Sequence, residues 1–455
     1  MNESNEGRLR RLLEDAAPSV SDETTRAELS PAAGAFIDEL ITRLRRLGGH
    51  DFRKHLITQH LACPQEDQTT VEATFAMYKL PLICRAVQAV LDERAIIRKV
   101  CQASREGFRP PVFRDVEVEP SRKASVPIAA LYLVEVGATP AVVEVDFDDD
   151  YEPQGRVEVI VPEPDRETAS ALLDEIERWA KRHNFYRGKK LEVQPKGGLT
   201  FLKGMNVTWD DVILPPEVTQ EVKDNVIGLL TKRALYQQNG LPCRRGVLLE
   251  GPPGVGKTLL LKALANAVDC TVLWVTPKAV ESPYSVTNVY EMARELAPTV
   301  VIWEDLDLIG RRRGEGAQPD GILGELLSQM DGVDPNEGII TCASTNEARS
   351  LDVALSERPA RFDRTIAIGL PGRDERRRML ERFTRDVHRQ FDAEELVGRT
   401  AGLSGAAIAE LVFTASMQAI DRGSVAEDGK VVLTADDFQR AFAKVYRPTR
   451  RIGFV

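Results

Sequence analysis

Eight consecutive residues, Gly251-Pro252-Pro253-Gly254-Val255-Gly256-Lys257-Thr258, stand between an apolar run ending at Glu250 and a segment, LLLKALANAV, whose apolar residues recur at helical spacing. The order strand, glycine-rich GxxxxGKT loop, helix is the arrangement in which backbone N–H groups converge on phosphate oxygens, with the positive end of the following helix favouring the same anion. Glycine supplies the tight backbone this requires. In such a cradle Lys257 reaches the β- and γ-phosphates and the Thr258 hydroxyl serves Mg²⁺. The residues expected around the nucleotide are therefore Gly251, Pro252, Pro253, Gly254, Val255, Gly256, Lys257, Thr258 and Leu259.

A cradle holds a nucleotide without hydrolysing it; carboxylates at the end of a neighbouring strand are needed as well. The segment PTVVIWEDLDLIG supplies them, an apolar run to Trp303 closed by Glu304 and Asp305. Apolar throughout, such a strand suits the middle of a parallel sheet covered on both faces, with its C-terminal end beside the phosphate loop. Glu304 falls where the Mg²⁺-shell residue belongs and Asp305 where the water-polarising residue belongs. Asp307 is expected to be structural. A third run, GIITCASTN, ends in Asn346, an uncharged group suited to holding water or sensing the γ-phosphate. Arg358, Arg361 and Arg364 follow in ALSERPARFDR and suit stabilisation of transition-state charge on a neighbouring subunit's phosphate.

Upstream the chemistry is sparser. Residues 1–34 are rich in Glu, Ser, Asp and Ala and read as a disordered tail. Phe36, Leu40, Leu44 and Leu47, then a periodic stretch from about Val71 to Val100, suggest a helical region over 35–105. The runs VFRDVEVE, IAALYLVEVG, AVVEVDF and RVEVIVP read as strands and ETASALLDEIERWAKRHN as a helix, giving a small α/β module over 106–200. His55, His60 and Cys63 have the wrong spacing for a shared metal on a helix, and Asp146 to Glu152 lacks the glycine of a calcium loop.

The whole sequence, 455 residues with 60 Lys+Arg and 70 Asp+Glu, carries a net charge of −10, against the basic surface that a nucleic-acid or lipid binder favours. The six cysteines show no CxxC pair, so neither a zinc ribbon nor a disulfide framework is expected. No run approaches the roughly 18 apolar residues of a membrane-spanning helix. The expectation is a soluble, cytoplasmic protein.

Taken together, GPPGVGKT, WEDLD, LLSQMDG, ASTN, RPARFDR with IGLPGRDERRRML, and AGLSGAAIAELV resemble, in order, the motifs of the AAA ATPase family in its protein-remodelling branch, over about residues 205–445. The resemblance implies an α/β P-loop module over 201–371, with a parallel sheet between helices, and a helical lid over 372–455 that includes the C-terminal tail. It implies ATP and Mg²⁺ as ligands, a homohexameric ring and Arg361 and Arg364 as trans-acting fingers. Asp211 and Val212, in NVTWDDVILPPEV, take the nucleotide-side position of the opening segment, and Ala406 takes the lid position facing the nucleotide.

Three departures stand out. The usual Asp-Glu order of the metal strand is Glu304-Asp305 here, an order shared with the Bcs-type translocases, which RHNFYRGKKLEV also resembles, although no membrane helix accompanies it. The central loop TPKAVESPYS lacks the aromatic-apolar-glycine grip of family unfoldases; Tyr284 is a candidate substitute, whereas Trp274 reads as core. No HExxH protease motif is present. The expected function is an ATP-hydrolysing motor that remodels a protein client recruited by the N-terminal region. The alternatives are a nucleic-acid-acting relative using Arg311 to Arg313, and a nucleotide-gated assembly scaffold.

Overall fold

The computed structural model describes residues 52–104, 107–148, 154–309, 319–331, 336–346 and 362–445. They divide into two compact units, one of residues 52–116 and 123–184, the other of 185–445 with the turn 117–122.

In the first unit the chain runs α1 (Phe52–Leu61), β1 (Gln68–Ala76), α2 (Leu80–Arg94), β2 (Ala95–Ser104), β3 (Gly107–Arg109), β4 (Val112–Glu119), β5 (Arg122–Val136), β6 (Thr139–Asp148), β7 (Gln154–Pro162) and α3 (Arg166–Arg182). The sheet order is β1-β7-β6-β5-β2-β3, with β4 paired to β5. Ile57 and Leu61 of α1 bury against Leu131, Leu133, Val142 and Ile160. Helix α3 places Ala169, Leu172, Leu173, Ile176 and Ala180 inside; its apolar spacing also puts Trp179 on this side, but that ring is only half-buried.

This corrects the helical expectation over Val71 to Val100. Only 80–94 is helical; β1 lies before it and β2 after it. The β-branched run Thr69-Thr70-Val71 finds a long antiparallel partner in β7, from Gln68↔Pro162 to Ala76↔Gln154, and ladder pairing overrides the apparent period. One sheet therefore joins stretches expected as separate regions, 35–105 and 106–200. The proposed tail and the Phe36 to Leu47 helix lie outside the described residues.

The second unit begins with β8 (Lys190–Val193) and β9 (Leu199–Phe201), then α4 (Pro216–Val222), β10 (Arg245–Glu250), α5 (Lys257–Ala267), β11 (Thr271–Val275), α6 (Pro283–Glu295), β12 (Thr299–Trp303), α7 (Pro319–Asp331), β13 (Ile339–Thr345) and β14 (Arg364–Ala367). The sheet order is β14-β10-β13-β12-β11-β8-β9. All pairs are parallel except β8 with β9. The segment KKLEV, assigned above to the upstream module, instead extends the nucleotide sheet, since Lys190 to Glu192 pair with Val272 to Trp274. Strands β11, β12 and β13 are buried at every residue, as apolar central strands of a covered parallel sheet must be. Leu260, Leu261 and Leu264 of α5 close the core over Val247 and Leu249. Burying each such leucine contributes about 2 kcal/mol.

A helical subdomain follows: α8 (Arg373–Phe383), β15 (His388–Gln390), α9 (Ala393–Arg399), α10 (Gly405–Asp421), β16 (Val432–Thr434) and α11 (Ala435–Val445). Its own core gathers Met379, Leu380, Leu396, Ile408, Leu411, Ala415, Leu433 and Phe438. Asp437 is fully buried at its base, holding Arg422 at 2.6 Å, Arg440 at 2.9 Å and the Thr434 N–H at 2.9 Å.

Candidate active site

The loop between β10 and α5 bends through Gly254 and Gly256, at φ +79° and +106°, a region closed to most side chains. Gly256 caps α5, so the free N–H groups of that helix open toward the loop. Lys257, the first helical residue, is buried at 6% exposure, and its ammonium donates to Gly251 O at 2.6 Å, Pro252 O at 3.0 Å and Asn346 Oδ1 at 2.9 Å. Burial pushes its pKa down, while Asp305 and Asp307 pull it up. Val255 is buried and Leu259 is 36% exposed.

At the end of β12 the Glu304 carboxylate is held on both oxygens. Oε1 accepts from the Thr258 hydroxyl at 2.7 Å and Oε2 from the Trp274 indole N–H at 3.2 Å. Asp305 adopts φ +50°, its N–H donating to Ser344 Oγ at 3.1 Å. Its carboxylate is raised in pKa, first by burial and then by Glu304 and Asp307, with Lys257 and Asn346 opposing. Asn346 Nδ2 lies 3.4 Å from Asp305 Oδ1. Asp307 is buried and accepts from the Thr345 hydroxyl at 3.2 Å and the Asn346 N–H at 3.0 Å. The strand of Glu304 is not adjacent to the strand of the phosphate loop. Between them lies β13, whose end inserts Asn346 between Lys257 and Asp305.

The lid reaches the loop directly, with the Ala406 N–H donating to Gly254 O at 3.0 Å. On the other side, Thr208 and Asp211 form a reciprocal cap, Thr208 N–H to Asp211 Oδ2 at 2.6 Å, and Arg382 of α8 binds Asp211 Oδ1 and, at 3.2 Å, Asp210 O. The Thr208 N–H and hydroxyl, then Arg382, hold the Asp211 carboxyl below its usual range. Val212 is buried in the core beside it.

Several expected residues thus converge: Gly254, Lys257, Thr258, Glu304, Asp305 and Asn346, with Asp211 and Ala406 bridging to the lid. Others do not. Arg364, at the start of the outer strand β14, pairs with Glu221 of its own chain. Arg361, Arg358 and Arg311 to Arg313 lie outside the described residues. The sequence reading missed Trp274, Ser344, Thr208 and Arg382. Trp274 carried a signal: it sits one residue from the C-terminal end of β11, the same sheet edge as Glu304, and is the only side chain in that half of the strand with a polar handle.

The Thr258 hydroxyl and the Glu304 carboxylate, 2.7 Å apart, form a hard oxygen donor set that fits Mg²⁺. Thr258 and Glu304 would hold the ion, which would supply positive charge against that of a phosphate. Among the described residues, no helix is long and apolar enough to cross a membrane.

Comparison with known proteins agrees with this geometry. Residues 247–370 match the model of the ATPase family associated with various cellular activities (AAA). The chain is 36% identical over 253 residues to the proteasome-activating nucleotidase of Methanopyrus kandleri, covering 53% of this chain and 56% of that protein. It is 36% identical over 230 residues to the ATP-dependent zinc metalloprotease FtsH of Acidimicrobium ferrooxidans, covering 48% and 34%. With the 26S proteasome regulatory subunit 6B homolog of Encephalitozoon cuniculi it shares 36% over 253 residues, covering 53% and 64%. The matched region thus spans less than two thirds of these relatives' lengths. Site geometry and similarity lead to one conclusion: residues 247–370 form an AAA ATPase domain, similar to those of proteasome-activating nucleotidases, FtsH and proteasome regulatory subunits.

Proposed function

We propose that the protein is an ATP-hydrolysing ring motor that changes the conformation or assembly of a protein client. The observation that carries this reading is the convergence of Lys257, Thr258, Glu304, Asp305 and Asn346 at one end of a single sheet. Lys257 exchanges its carbonyl partners for phosphate oxygens. Asn346 and Asp305, in hydrogen-bond reach of each other, hold and polarise the attacking water. The raised pKa of Asp305 makes it a better proton acceptor than an ordinary aspartate. Thr258 and Glu304 hold the Mg²⁺ side of the nucleotide, and Arg361 and Arg364 act on the phosphate of the adjoining subunit in a homohexamer.

Relatives named as proteasome-activating and regulatory proteins support a protein substrate. The separate first unit, outside the matched region, is the recruitment element in this reading. Its setting is the cytoplasm.

The test is ATP turnover against protein concentration for wild type, Lys257→Ala and Arg361→Ala. The expected result is steep concentration dependence, both variants inactive alone, and partial activity when the two are mixed, because each supplies the half that the other lacks. Full turnover by a dilute monomer would overturn the ring mechanism.

A further inference from the structure

We propose that Trp274 is a positioning residue that fixes the Glu304 carboxylate toward the metal side of the nucleotide, and that it is the structural counterpart of the inverted Glu304-Asp305 order. This rests on the assignment of Glu304 to the Mg²⁺ side of an ATP site.

Glutamate in place of aspartate at the end of β12 adds one methylene and one rotatable bond, so its carboxylate reaches further and is freer to swing. Two donors remove that freedom. The Thr258 hydroxyl takes Oε1 at 2.7 Å, and the indole of Trp274, from the adjacent strand β11, takes Oε2 at 3.2 Å. The strands are in register there, Trp274 opposite Ile302, so Glu304 emerges just beyond the indole. The Glu304 N–H is itself bonded to Val275 O at 3.0 Å, which ties the start of the side chain to the same strand.

An indole N–H donates and cannot accept, so it selects an oxygen lone pair of the carboxylate. At 4% exposure the ring sits in the core, where an aliphatic side chain would offer no donor. An aspartate at 304 would withdraw the carboxylate by about 1 Å, enough to break one of the two contacts. Trp274 and Glu304 are therefore a matched pair: the longer acid needs the indole, and the indole needs an acid that reaches it.

The experiment measures binding of a fluorescent, non-hydrolysable ATP analogue to the full chain as Mg²⁺ is titrated, without reference to turnover. Trp274→Phe is expected to raise the half-saturating Mg²⁺ about tenfold while leaving affinity in EDTA within about twofold, the loss of a hydrogen bond to a charged group. In a Glu304→Asp background the same substitution is expected to add nothing. Equal fold-changes in both backgrounds, or none in either, would overturn the proposal and leave Trp274 as packing alone. If Trp274→Phe does not fold, β-(3-benzothienyl)alanine at position 274 keeps the bicyclic shape and exchanges the N–H for sulfur; an unchanged Mg²⁺ requirement there is equally fatal. The underlying assignment is checked separately. Lys257→Ala must weaken analogue binding in EDTA, and a wild-type protein that binds no nucleotide overturns both ideas.

Discussion

The ammonium of Lys257 lies 2.9 Å from the Oδ1 of Asn346, two residues 89 positions apart that meet because β13 is inserted between β10 and β12. A buried cation is costly unless it is surrounded by acceptors, and Asn346 completes a set with Gly251 O and Pro252 O. The same amide faces Asp305 with its Nδ2. Asn346 therefore links Lys257 to Asp305.

From that link, Asn346→Ala is expected to lower kcat for ATP on the order of 100-fold, the scale for losing one preorganised polar group, with a smaller change in KM. Steady-state ATPase assays separate the two. A change confined to KM would mean that Asn346 acts on ground-state binding alone.

Gly254 is where the lid touches the loop. A Cβ there would lie 2.8 Å from Ser404 Oγ and 2.9 Å from the Ala406 Cβ, at a φ of +79°. Gly254→Ala is expected to cost about 1–2 kcal/mol of stability from the backbone conformation and to weaken nucleotide affinity by pushing the lid away. Thermal denaturation with and without ADP measures both; a variant whose ADP-induced rise in Tm equals that of wild type would contradict the contact.

The Arg382–Asp211 pair joins the lid to the segment before β10 and is part-exposed, so little global stability is expected from it. Its consequence is kinetic. Arg382→Ala is expected to speed ADP release several-fold with an almost unchanged Tm, as read by stopped-flow displacement of a fluorescent ADP. An unaltered release rate would remove the pair from lid control.

Asp437 makes the lid sensitive to acid. Burial by itself would raise its pKa, but Arg422, the Thr434 hydroxyl and N–H, and Arg440 outweigh burial and hold the carboxyl far below the usual range. A depressed native pKa contributes stability that is fully present above the unfolded value, about 3.8, and is lost as pH falls through the native one. Asp437→Asn is expected to destabilise the lid by about 2 kcal/mol at pH 7 and to flatten the pH dependence of denaturation below pH about 4. Urea unfolding at pH 7 and pH 3 gives both numbers.

Local pattern alone made much of the chain legible. The strand-loop-helix around Lys257, the apolar strand closing in Glu304-Asp305 and the one-sided helix Arg166–Arg182 are determined by neighbours in sequence, because glycine conformations, apolar runs and helical spacing are properties of short segments. Where pairing partners were distant, the same reading failed. Residues 68–76 carry β-branched side chains within an apparently helical period, and only β7, far along the chain, makes them a strand.

The sequence by itself therefore determined which chemical groups stand at the candidate site and the order in which the chain presents them. Only the tertiary structure decided their partners: that KKLEV belongs to the nucleotide sheet, that Asn346 stands between Lys257 and Asp305, and that Trp274 and Thr258 each take one oxygen of Glu304. The physical reason is strand order. Parallel neighbours are separated in sequence by whole crossover segments, so the contacts that orient a carboxylate or satisfy a buried ammonium arise between segments whose adjacency no local pattern encodes.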